Sequence, residues 1–184
     1  MISTWPQMRA FLLRWETMAV TNISGDRGGQ TAGGISRRYH PDAPVWALVD
    51  RGITSGALYE QAIHDWYDTQ YRDIFETMPS RVGTAYIDAL VNMGDGKAGD
   101  DAMGAAELLQ SALNSVAGSK YVSVDGDVGP KTRLALRHCD ADAVAFCLCA
   151  MRLAEYGRRG RKGDSRRAFL DGWINRVRAL MEEI

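Results

Sequence analysis

Glu16 follows an apolar N-terminal stretch, and ten residues later comes Asp26-Arg27-Gly28-Gly29-Gln30-Thr31-Ala32-Gly33-Gly34-Ile35-Ser36. A carboxylate near a helix end, followed by a glycine-rich turn with a second carboxylate and a hydroxyl, is suited to cutting a sugar polymer. Glycosidic cleavage needs one carboxylic acid to protonate the leaving oxygen. It also needs a second polar group to steady the oxocarbenium charge or manage the attacking water. Burial of Glu16 near Trp15 or Trp5 would disfavour its charged form and keep it an acid. Asp26, in a wetter loop, would stay ionised, and Thr31 offers a hydroxyl to hold water. Gly28, Gly29, Gly33 and Gly34 permit positive φ and close approach of backbone to a ligand.

Other chemistries fit less well. A phosphate-cradling loop would require GxxxxGK[ST] after a strand, which is missing. His40, His64 and His138 have no metal-ligand spacing, and Cys139, Cys147 and Cys149 form neither CxxC nor a Cys/His set. The cysteines read as small apolar core residues of a chain made in a reducing compartment. Asp125-Gly-Asp127-Val-Gly129-Pro130 lacks the further ligands and terminal Glu of a calcium loop, so a turn is expected. No metal and no cofactor are expected.

The elements that position these groups are helical. Trp5, Met8, Phe11, Leu12, Trp15, Met18 and Ala19 recur at three- and four-residue steps, predicting one helix up to Ala19. The glycine- and proline-bearing residues 21–44 predict turns and a small hairpin. Helical patterning resumes over Val45–Phe75, Arg81–Met93, Ala102–Val116, Thr132–His138, Ala141–Tyr156 and Arg166–Glu183. Residues 118–131 break it as a short strand or loop. The fold class is mainly α, a helical region with a small glycine-rich hairpin and a helical C-terminal half.

The 184 residues suit one domain with an appended lobe, and 46 % apolar with 24 % charged content is ordinary for a soluble globular chain. The net charge of −1 hides an asymmetry. Residues 1–100 hold nine Lys/Arg against twelve Asp/Glu, and residues 151–184 hold nine against five. The basic run Arg158, Arg159, Arg161, Lys162, Arg166 and Arg167 suits an anionic polymer more than specific nucleic-acid binding. Arg9, Arg14 and Glu16 interrupt the first twenty residues, so neither a signal peptide nor a membrane anchor is expected there.

Five ordered segments resemble the glycoside hydrolase family 108 muramidases, the lysozyme-like endolysins of phages and prophages. Asp26, Gly28, Gly29, Thr31, Gly34, Ile35 and Ser36 match that family's Asp-x-Gly-Gly-x-Thr-x-x-Gly-Ile-Ser/Thr pattern. Tyr67, Tyr71 and Asp73 resemble its tyrosine-rich helix, and Asp88-x-x-x-Asn92-x-Gly94 its helix end. Leu108–Leu113 with Val124–Thr132 resembles the attached peptidoglycan-binding half, and Phe169–Val177 the closing helix. The chain departs from the family after the acid. Thr17, Met18 and Ala19 stand where two glycines and a tyrosine are usual, and the step from Glu16 to Asp26 is one residue longer.

The resemblance implies hydrolysis of the β-1,4 bond between N-acetylmuramic acid and N-acetylglucosamine, with Glu16, Asp26 and Thr31 catalytic. Gly28, Gly29, Ser36, Tyr67, Tyr71 and Asn92 would contact substrate. A lysozyme-like catalytic region would span residues 1–100 and a peptidoglycan-binding region residues 101–184. The expected partner is the peptidoglycan glycan strand, with anionic envelope polymers drawn to the basic run. No nucleic acid and no membrane insertion are expected, and the protein should be a monomer. It would be made in a host cytoplasm and reach the wall through a holin-like hole or in a virion. A lytic transglycosylase and a non-catalytic wall-binding module are the rival readings.

Overall fold

A computed structural model describes residues 1–22, 29–95, 103–160 and 169–184. Among them are eight helices and one small sheet, so the fold is mainly α. The chain separates into two compact units, Trp5–Asp73 and Met1–Thr4 with Ile74–Ile184.

The first unit begins with α1 (Trp5–Trp15), which buries Trp5, Met8, Phe11 and Leu12 on one stripe. The helix stops four residues short of the predicted Ala19. The Glu16 N–H still reaches the Leu12 carbonyl at 3.1 Å, but the Thr17 hydroxyl then accepts from the Ala19 N–H. Val20 and Thr21, β-branched residues that prefer extended backbone, open the sheet instead. Strands β1 (Val20–Asn22), β2 (Gln30–Ala32) and β3 (Ile35–Ser36) run antiparallel in that order.

Helices α2 (Val45–Val49) and α3 (Ala57–Glu76) replace the single helical stretch predicted over Val45–Phe75. Gly52 and Gly56 between them hold φ of 78° and 88°, a left-handed conformation incompatible with a continuing helix. Arg37 ties β3 to the end of α2 through paired 2.7 Å bonds to Asp50. Trp5 Nε1 and Arg9 both donate to Asp68 Oδ1, at 2.7 and 2.6 Å, fastening α1 to α3. Met8, Leu12, Ile35, Trp46, Tyr59, Ile63 and Tyr67 fill this unit's core.

The second unit comprises α4 (Ser80–Met93), α5 (Ala105–Ala117), α6 (Pro130–Leu136), α7 (Ala141–Gly160) and α8 (Leu170–Met181). Val82, Ile87, Leu109, Leu113, Val144, Leu148, Val177 and Leu180 are among its buried apolar residues. A charged centre sits among them. Asp88 on α4 accepts from Arg152 on α7 at 2.6 Å and from Arg176 on α8 at 2.8 Å, all three essentially buried. Burial opposes ionisation of Asp88, but the two guanidiniums outweigh it and hold its pKa below the ordinary carboxylate value.

Residues 118–129 form a loop with no strand, clamped by two side chains one turn apart on α5. Gln110 Oε1 accepts from the Asp125 and Gly126 N–H groups, both at 3.0 Å, while its Nε2 donates to Asp125 Oδ1 at 2.7 Å. Asn114 Oδ1 accepts from the Tyr121 and Val122 N–H groups, both at 2.8 Å. Gly126, with φ of 74°, makes the turn that the Asp-Gly pair predicted. The clamp satisfies backbone groups that have no ladder to join.

The basic run begins on a helix, not in a loop. Arg158 and Arg159 belong to the last turn of α7, where Glu155 accepts from both, at 2.8 and 3.0 Å. These i,i+3 and i,i+4 pairs extend α7 past the predicted end at Tyr156. Arg161, Lys162, Arg166 and Arg167 lie outside the described residues. The three cysteines are free thiols, and burial pushes Cys149 up to about 12.

Candidate active site

The first unit concentrates the groups able to do chemistry. Glu16 stands one residue beyond the end of α1, and the β2–β3 hairpin comes up against it. That hairpin turns through Gly33 and Gly34, whose φ values of 56° and 77° are the pair of positive angles a two-residue type I′ turn requires. A Cβ on Gly34 would lie 2.7 Å from Glu16 Cγ and Oε2, and 2.7 Å from the Tyr67 hydroxyl. A side chain there would be strained by the positive φ and would push the Glu16 carboxyl or the Tyr67 hydroxyl aside. The predicted close approach at this glycine is therefore to Glu16 itself. A Cβ on Gly33 would likewise meet Ile63 at 2.7 Å.

Two tyrosines one turn apart on α3 complete the surround. Tyr67 is fully buried and donates from its hydroxyl to the Gly33 carbonyl at 3.0 Å. Its ring has no free face for a sugar, so it supports the hairpin and the floor beneath Glu16. Tyr71 is half-buried, and its pKa is pushed up to about 12, first by burial and then by the negative charge of Glu16. Trp66 packs edge-on against both rings, at 5.1 and 5.8 Å between centroids. Of the two tryptophans expected to shield Glu16, Trp15 is its chain neighbour. Trp5 is hydrogen-bonded to Asp68 at the far end of α1, about 16 Å away at 1.5 Å per residue.

Thr31 lies on β2, directly opposite Thr21 on β1 and Ser36 on β3. The Thr21 and Thr31 hydroxyl oxygens are 2.6 Å apart. The three hydroxyl residues thus form one row across the sheet, all partly exposed. Thr21 is not among the residues that type and spacing single out. Its signal was the hairpin register, which no spacing along the chain displays.

Gly29 has φ of 66°, as the glycine-rich turn predicted. Asp26 and Gly28 lie outside the described residues. The segment after Glu16 is anchored, since the buried Tyr59 donates to the Met18 carbonyl at 2.8 Å. Asn92 belongs to the second unit, where its Oδ1 accepts a short bond from the Tyr156 hydroxyl, which in turn accepts from Arg152 at 2.7 Å. A cavity of about 360 Å³ in the first unit is lined by Tyr39, His40, Asp65, Trp66, Thr69 and Gln70, among others. Burial lowers the His40 pKa, favouring its neutral form there. No cluster of His, Cys, Asp or Glu among the described residues is disposed to hold a metal ion.

A carboxyl against a glycine turn, two phenols beside it and a hydroxyl row across the adjoining sheet are groups that a glycoside hydrolase can use. Comparison with known proteins points the same way. The Glycosyl hydrolase 108 model matches residues 9–94, and the model described as Predicted Peptidoglycan domain matches residues 104–178. Residues 9–94 are thus similar to the glycosyl hydrolase 108 family and residues 104–178 to a peptidoglycan domain, and together they make the chain a peptidoglycan hydrolase. A solved structure described as Brucella abortus SagA has a similar fold, with a TM-score of 0.66 and 21 % identity. The alignment covers 97 % of this chain and 91 % of that one. No curated protein matches the chain.

Proposed function

We propose that the enzyme is an N-acetylmuramidase that hydrolyses the β-1,4 bond between N-acetylmuramic acid and N-acetylglucosamine. The observation that carries this reading is the seat of the Glu16 carboxyl on Gly34, beside Tyr67 and Tyr71 and on the same hairpin as Thr31. Glu16 donates its proton to the leaving glycosidic oxygen. Asp26 supplies the second carboxylate, and Thr31 holds the attacking water. Tyr71 stays a neutral phenol in the working pH range and can donate to a sugar oxygen or an N-acetyl carbonyl. Residues 1–100 serve catalysis and residues 101–184 hold the wall polymer.

The wider role proposed is that of a lytic enzyme acting on the wall from outside the cytoplasm. An endolysin-type muramidase of phage origin lyses the cell after leaving the cytoplasm through a membrane hole or arriving in a virion. The run from Arg158 to Arg167 adds attraction to anionic wall polymers, which salt weakens. Release of reducing sugar from purified peptidoglycan tests the enzymatic core of the proposal. Wild type should release it and Glu16→Gln should not; equal activity of the two would refute it.

A further inference from the structure

A hydroxyl carries one proton and two acceptor sites, so a bond between two hydroxyls leaves each with a definite remaining capacity. Thr21 and Thr31 make such a bond at 2.6 Å, and their direct opposition in the β1–β2 register sets it. We propose that Thr21 is a positioning residue that accepts the Thr31 proton and so turns the Thr31 lone pairs toward the attacking water. This rests on the reading that Thr31 holds that water.

The geometry of attack explains why the direction matters. The water must aim a lone pair at the anomeric carbon while its two hydrogens are held elsewhere. A carboxylate takes one hydrogen and Thr31 Oγ1 accepts the other. As the new carbon–oxygen bond forms, the water's proton passes to that carboxylate. The glycosidic bond breaks, and the Glu16 proton goes to the leaving oxygen. Neither threonine gains or loses a proton. Without Thr21, the Thr31 proton is free to swing onto the water oxygen, where it occupies the lone pair needed for attack.

The test compares kcat and KM on a soluble peptidoglycan glycan for wild type, Thr21→Val, Thr21→Ser, Thr31→Val and the double valine variant. Valine keeps the branched shape and the strand preference while removing the hydroxyl. Thr21→Val should lower kcat about tenfold, the effect of one lost hydrogen bond, with KM unchanged. Thr21→Ser should restore the rate, and the double variant should be no slower than Thr31→Val alone. A wild-type kcat for Thr21→Val beside an impaired Thr31→Val would overturn the proposal while leaving the role of Thr31 intact. Serine behaving as poorly as valine would reduce Thr21 to a packing residue. Full activity of Thr31→Val beside a dead Glu16→Gln would remove the premise, leaving the acid in place and no water for Thr21 to orient.

Discussion

Gly34 lies directly under the Glu16 carboxyl, so close that a single methyl group would sit 2.7 Å from Oε2. The glycine is thus part of the mounting of the Glu16 side chain. Its positive φ makes the hairpin turn, and its missing side chain makes the seat.

Gly34→Ala should therefore cost activity well beyond its cost in stability. The left-handed φ alone strains alanine by about 1 kcal/mol. Displacing Glu16 by about an ångström can cost about a hundredfold in rate. Gly52→Ala is the control, because Gly52 has φ of 78° with nothing within 4 Å of an added Cβ. Melting temperatures of the two variants should fall alike, while kcat/KM falls only for Gly34→Ala.

The titration of Tyr71 reports on the same neighbourhood. Its pKa of about 12 arises from burial first and from the charge of Glu16 second. Glu16→Gln removes only the second cause. Ultraviolet titration should show the Tyr71 ionisation moving down yet staying above the ordinary phenol value of 10.0. An unmoved titration would separate the two groups.

How much of this was legible in the chain differs between elements. The three- and four-residue spacing of Trp5, Met8, Phe11 and Leu12 revealed α1 because burial on a helix has that period. Met18 and Ala19 continued the rhythm by composition alone, and the local bond from Ala19 to Thr17 lies beyond the reach of periodicity. Gly52 and Gly56 did announce the break between α2 and α3, but apolar residues on both sides masked it. At the site, the glycines and Glu16 could be read from type and order. The Thr21–Thr31 pair and the burial of Tyr67 depend on register and packing, which bring together residues ten and more than thirty apart.

Asp88 is the clearest case of a long-range relationship hidden from the sequence, and it controls stability rather than chemistry. It offsets two buried guanidiniums, from Arg152 and Arg176. Asp88→Asn leaves those charges uncompensated and should destabilise the protein by about 3–5 kcal/mol in urea unfolding. The sign with pH follows from the depressed pKa. The stabilisation is complete above the ordinary Asp value of 3.8 and is lost as pH falls through the lower folded value. Wild type should therefore show an acid limb in its melting temperature below that range, and Asp88→Asn should lack this contribution. An unchanged limb would show that other carboxylates govern it.

The central claim is that Glu16 drives addition of water across a wall glycosidic bond. Digesting purified peptidoglycan in heavy-oxygen water, with wild type and Glu16→Gln, tests it most directly. Mass spectrometry of the released fragments should show reducing ends carrying the heavy oxygen for wild type and intact strands for Glu16→Gln. Fragments lighter by one water and free of the label, or labelled fragments from Glu16→Gln in wild-type yield, would contradict the account.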